Sequence, residues 1–113
     1  MIRGEIWRAE FGIPYGSEIG HTRPVLIVQD DGFNESRIKT IVVLPLTTNL
    51  RLLDAPGNVF LGKRESKLLN DSAIIVAQLY AVDRSRLKEK ITKVNKDIME
   101  QVEIGMKLVL GIN

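Results

Sequence analysis

The 113-residue chain contains no cysteine. That excludes a disulfide framework, a thiol nucleophile and a thiolate metal site. A single histidine, His21, is present, so any mechanism built on two histidines is excluded as well. No apolar run approaches the roughly 20 residues needed to span a bilayer. Met1-Ile2-Arg3-Gly4-Glu5 opens directly into a strand pattern with no signal peptide visible, so a cytoplasmic location without a membrane is expected. Net charge is only +2, which by itself says little about a polyanionic partner.

What is present fits a folded globular chain. A hydrophobic fraction of 44% with interspersed charges of both signs argues against disorder. The length suits one domain, residues 1–113, with one apolar core. Charge is uneven along it: residues 1–56 carry six Lys/Arg and seven Asp/Glu, residues 57–113 ten and seven. Arg84, Arg86, Lys88, Lys90, Lys93 and Lys96 follow one another with Glu89 as the sole acid among them. Such a run is either a solvated face or a surface for a phosphate backbone or an acidic protein.

Ile2 to Glu10 reads as a strand, followed by a loop from Phe11 to Thr22 carrying Gly12, Pro14, Gly16 and Gly20. Pro24 suits a strand start, where a missing N–H costs no ladder bond. Val25 to Gln29 is then a buried strand and Asp30 to Asn34 a turn. Thr40 to Leu46 is a third strand, Leu50 to Gly57 a loop, Asn58 to Leu61 a short strand and Gly62 to Asp71 a charged connection. Ser72 to Leu79 reads as one further buried strand. Asp83 is a cap for one helical turn, Arg84 to Leu87, ahead of a short strand near Ile91 to Val94. Asn95 caps a terminal helix, Lys96 to Leu110, with Ile98, Val102, Met106 and Val109 on one face. Several short strands and one helix argue for a mainly β fold, a strongly bent sheet or small barrel with the helix packed on it.

Chemistry concentrates around two strand ends. Arg23 carries a permanent charge that can grip two phosphate oxygens at once, and Pro24 holds it in extended backbone. The bland alternative is an arginine that closes a strand end or pairs with a carboxylate. Thr47 and Thr48 follow the third strand, and successive side chains point to opposite faces, so one of them faces the concave side or its rim. Glu18 is a possible base or a solvated loop acid. His21 has a suitable pKa class or is incidental. Asp30-Asp31 reads as turn chemistry without metal-ligand spacing, and the loop glycines precede no helix, so a phosphate loop is not indicated. Trp7 and Phe11 read as core rather than as stacking platforms.

The segments "RGEIWRAEF", "GSE" followed by "RPVLIVQDDGFN", "IVVLPLTTN" and "DSAIIVAQLYAVDRSRL" together resemble the MazF/PemK family of toxin endoribonucleases, nearly end to end. The resemblance implies an SH3-like β-barrel with a C-terminal helix, homodimeric, cutting single-stranded RNA with no metal and no cofactor. It sets the family's catalytic arginine on Arg23 and its catalytic threonine on Thr47; Glu18 stays the candidate catalytic carboxylate read from the loop itself. Ser17 and Glu18 fall in a loop like the family's mobile loop beside the RNA. Gln78 matches a glutamine near the family's RNA site, and Ser17, His21, Thr48 and Asn49 are further candidate RNA-binding residues. Tyr80 stands where members often carry arginine, and His21 where glycine or lysine is common; both departures bear on the RNA sequence recognised more than on the reaction.

The chemistry is coherent with those residues. RNA can be cut by its own 2′-hydroxyl, which requires no activated water; the protein must then stabilise phosphoryl charge and manage two proton transfers. Arg23 fits the first task. A cognate antitoxin with an acidic C-terminal segment is the implied protein partner. Two other readings stand beside this one. The related CcdB proteins share the barrel but bind DNA gyrase through a C-terminal Trp-Gly-Ile, where this chain has Leu110-Gly111-Ile112-Asn113. A non-catalytic RNA-binding barrel is the third.

Overall fold

Strand β3, Thr40–Thr47, organises the sheet because three other strands pair with it. In this computed structural model, which describes residues 1–11 and 22–113, β1 spans Glu5–Glu10 and β2 Thr22–Ile27. Short strands β4 (Val59–Leu61), β5 (Ser72–Ile74) and β6 (Tyr80–Asp83) precede β7 (Leu87–Lys93). Single helical turns α1 (Asp31–Asn34) and α2 (Lys63–Ser66) lie in the connections, and the long helix α3 runs from Lys96 to Leu110. All pairings are antiparallel, in the order β4-β5-β3-β2-β1-β7, with β6 also on β3. The result is mainly β: a curled half-barrel of the SH3-like kind with a terminal helix.

Both faces of the curl are packed. One buries Ile6, Leu26, Leu44, Leu61 and Ile74 against Ile98 and Val102 of α3. The other buries Ala9, Val25, Ile27, Ile41, Val43, Val82 and Leu87, with Trp7, Phe11 and Tyr80 partly buried beside them. This is why β2 and β3 read as continuous apolar runs: with both faces covered, alternation disappears. Phe11 follows β1 and Tyr80 opens β6, three strands apart, yet their rings meet at a centroid distance of 6.3 Å. That contact spans the concave side.

The terminal helix matches its expected bounds, and its cap is in place: Asn95 Oδ1 accepts from the Ile98 amide at 2.9 Å. Gly111 closes it in the left-handed conformation, φ 68°, which favours glycine. The buried face differs in one residue. Gly105 is buried while Val109 keeps 39% of its surface exposed, because the helix approaches the Gly57 backbone so closely that a Cβ on Gly105 would run into the Gly57 carbonyl.

Several strand bounds shift. β2 begins at Thr22, three residues earlier than expected, so Arg23 and Pro24 lie within it. The apolar stretch from Ser72 is two elements rather than one strand. β5 stops at Ile74, the Ile75 amide bonds to Pro45 O at 2.9 Å, and Val76–Gln78 form a 3-10 turn. The chain thereby slides along β3, leaving Leu46–Thr47 for Thr40–Val43, where β6 pairs. Apolar residues buried throughout carry no periodicity that could reveal such a break. β7 is longer than the short strand expected at Ile91–Val94, since its first residues pair with β1 through two register shifts. Asp83 caps the Arg84–Arg86 turn as expected, accepting from Ser85 N at 2.9 Å.

Candidate active site

The ladder between β2 and β3 ends at the pair Val25–Pro45. Pro24, next in line to face β3, lacks the amide that would extend it, whereas the Pro45 main chain faces β5, its carbonyl accepting from Ile75 N at 2.9 Å. Beyond that pair β2 stays with β1, where Arg23 faces Ala9, while β3 stays with β5, where Thr47 faces Ala73. The two strands part, and a cleft of about 590 Å³ opens between them. Arg23, Thr47 and Thr48 line it, together with Leu68, Leu69 and Asn70 from the α2–β5 connection.

Arg23 is exposed, and among the described residues no carboxylate lies within ion-pair distance of it. Its alternation with Val25 sets it on the sheet face opposite α3. Thr47 is half-buried and its Oγ1 accepts from the Asn49 amide at 3.2 Å. A hydroxyl whose lone pair is engaged in this way still has its hydrogen to donate. The cleft therefore presents a fixed cation on one wall and a hydroxyl donor on the other, a constellation suited to an anionic oxygen pair.

The remaining site residues are distributed more widely. Thr48 lines the cleft. Asn49 is turned to a local task, its Oδ1 accepting from Arg51 N at 3.2 Å as the cap of the Leu50–Asp54 turn. Gln78 is exposed at the end of its 3-10 turn and is not part of the cleft wall. Ser17, Glu18 and His21 lie outside the described residues. Among the described residues no group of three or more His, Asp or Glu side chains gathers in a metal-binding arrangement.

One feature escaped sequence reasoning, and another gained a neighbour. Leu69 is 92% exposed on the cleft's lip, and nothing in a charged connection signals that its apolar pair projects toward the site. Tyr80 stands near Arg23: burial raises its phenol above the ordinary value, and the Arg23 charge opposes that rise. The basic run also divides. The Arg84 guanidinium is committed to the carbonyls of Ile38 at 2.6 Å and Phe33 at 3.2 Å, and Lys90 pairs with Glu5 at 3.1 Å. Arg86, Lys88 and Lys93 are exposed.

The profile of the PemK-like, MazF-like toxin of type II toxin–antitoxin systems matches residues 2–110, and the chain belongs to that family. It is 34% identical over 112 residues to endoribonuclease MazF2 of Mycobacterium bovis, covering 99% of this chain and 98% of that protein. Endoribonuclease MazF6 of Mycobacterium tuberculosis shares the same figures. Among solved structures, the MazE–MazF complex of Deinococcus radiodurans superposes with a TM-score of 0.82 at 20% identity, covering 100% of this chain and 97% of that one. The Mycobacterium tuberculosis toxin MazF-mt6 does so with a TM-score of 0.79 at 16% identity, covering 96% and 98%.

Proposed function

We propose that this chain is a sequence-selective endoribonuclease toxin that cuts single-stranded RNA without a metal ion. The observation that carries the reading is the meeting of Arg23 and Thr47 across the gap between β2 and β3. Family membership and the near-full-length match to curated endoribonucleases support it.

In the reaction the 2′-oxygen forms a bond to the adjacent phosphorus as the bond from phosphorus to the 5′-oxygen breaks. The 2′-hydroxyl loses its proton, and the leaving 5′-oxygen gains one. Charge grows on the two non-bridging oxygens, where a preorganised guanidinium has its largest effect. Arg23 supplies that charge and Thr47 donates a hydrogen bond to the same group. Glu18, the loop carboxylate read from the sequence as a possible base, takes the 2′-proton. Arginine is a poor proton donor at its pKa, so Arg23 acts electrostatically. Products are a 2′,3′-cyclic phosphate and a 5′-hydroxyl.

The 113 residues act as one domain and pair as a homodimer. β4 and β7 end the sheet path, and unpaired edges favour a second copy. The partner that silences the toxin is a cognate antitoxin whose acidic C-terminal segment folds along exposed basic side chains such as Arg86 and Lys88 and excludes RNA.

Sequencing the 5′ ends left in total RNA after brief expression tests this reading, with cleavage by the purified protein repeated in excess EDTA. Discrete cuts sharing a motif, made equally in EDTA, are expected. Activity lost in EDTA and restored by Mg²⁺ on an unstructured RNA contradicts metal independence. Full cleavage with antitoxin at saturation contradicts the inhibition.

A further inference from the structure

Phe11 and Tyr80 have a surplus beyond packing. Both rings are only partly buried, and they are tilted by 36° rather than stacked flat on each other. Their remaining surface lines a cleft of about 400 Å³ with Ala81, Val82, Asp83 and Arg86. A space of this size takes one small planar group. The register of β6 on β3 pairs Tyr80 with Val43, and Val43 shares its face with Thr47, four residues along the same strand. Phe11 follows β1 with the parity of Ala9, which faces Arg23. Both rings therefore stand on the sheet face that carries Arg23 and Thr47. Arg86 gives the lip a cation, and Asp83 on the same wall has its Oδ1 engaged by Ser85 N at 2.9 Å.

We propose that Phe11 and Tyr80 form an aromatic platform on which one base of the RNA stacks, next to the phosphate held by Arg23. This rests on the RNA-cutting reading above and names a base-binding subsite within it. Every base has a π-face, so a ring beside a basic groove is a general way to hold single-stranded nucleic acid. Arg86 then meets the phosphate attached to that nucleotide. Tyr80 is consequently a positioning residue rather than a catalytic one: it orders one flanking nucleotide and leaves the displacement to Arg23 and Thr47. The competing account is that the rings only close the curl of the sheet.

The two accounts separate in a binding experiment on the intact protein. The probe is a set of oligoribonucleotides carrying the cut motif, with a 2′-deoxyribose 5′ of the scissile phosphate to block cutting. Each has one base removed at a successive flanking position. Fluorescence anisotropy should find one position where base removal weakens binding of the wild type about tenfold, the scale of a lost base–aromatic stack. Tyr80→Leu should abolish that penalty while leaving those at other positions, and Tyr80→Trp should restore it. 2-Aminopurine at that position should be quenched on binding to the wild type, a readout that requires no variant. Equal penalties in wild type and folded Tyr80→Leu, or 2-aminopurine that stays bright in the complex, would overturn the platform. Because binding is read, these results stand apart from cleavage. A wild type that cuts no all-ribose RNA counts against the reading above and leaves the stacking result to be judged alone.

Discussion

The apolar core under α3 is aliphatic, from Ile6 and Leu26 on the sheet to Ile98 and Val102 on the helix. On the opposite face the aliphatic cluster is bordered by Trp7, Phe11 and Tyr80 and runs out at its rim into Arg23 and Thr47. The first face has a lid of its own sequence. The second is finished by aromatic and polar groups left half-covered, and it ends where the β2–β3 ladder stops at Pro24. Close aliphatic packing supplies stability and a fixed backbone; the rim uses that rigidity to present a cation and a hydroxyl on either side of one cleft. Changes on the two faces should therefore fail in different assays.

The largest separation is expected at Arg23. Arg23→Ala should lower RNA cleavage at least about a hundredfold, the scale seen when one preorganised donor is removed, with the melting temperature nearly unchanged because the side chain is exposed. Initial rates and thermal melts check both halves. Gly105→Ala should do the reverse. Its methyl group meets the Gly57 backbone, which cannot rotate away as a side chain would, so stability should fall by about 1–3 kcal/mol. Urea melts measure the loss, and cleavage per folded molecule should stay normal.

Thr47→Val keeps the branched shape and removes the hydroxyl. Cleavage should drop by about tenfold, the worth of one hydrogen bond to a charged group, with little change in melting. The smallest effect lies away from both sites. Glu5 is buried, and burial alone would raise its carboxyl. Hydrogen bonds from Trp7 Nε1 and Ile2 N, each 2.9 Å, and the Lys90 ammonium at 3.1 Å outweigh that and hold it below 4.5. A lowered folded-state pKa gives stability that is present above about 4.5 and lost as pH falls through the folded value. Glu5→Gln should accordingly flatten the acid limb of the stability curve. A melting-temperature series from neutral to acid pH reads this out, and an unchanged limb would mean Glu5 titrates alike in both states.

Much of this was legible from composition and local rules. Asn95 at the head of a 3.6-period face gave α3 its start, and the β-branched runs gave β2 and β3. Arg23, Thr47 and Thr48 line one cleft, but only the family resemblance, not a local pattern, set Arg23 and Thr47 in one site. What stayed hidden has a common cause. The break at Ile74 and the shift of the chain along β3 depend on a bond from Ile75 to Pro45, thirty residues away in sequence, and no local pattern encodes that. Arg84 looked like part of a basic face, yet its guanidinium holds the turn after α1 through carbonyls of Phe33 and Ile38. Phe11 read as core from its spacing, but its meeting with Tyr80 comes from the curl of the whole sheet. Ser17, Glu18 and His21 remain assigned by sequence alone.

The account turns on who attacks the phosphorus. One oligoribonucleotide carrying the cut motif, with only the ribose 5′ of the scissile phosphate replaced by deoxyribose, decides it when run beside its all-ribose twin and read by mass spectrometry. The all-ribose strand should yield a 2′,3′-cyclic phosphate and a 5′-hydroxyl. The substituted strand should bind with similar affinity, since phosphate contacts supply most of it, and should remain uncut. Cleavage at the deoxyribose, or a 5′-phosphate on the downstream fragment of either strand, would make water the nucleophile and contradict the assignment of Arg23 and Thr47 to a 2′-hydroxyl attack.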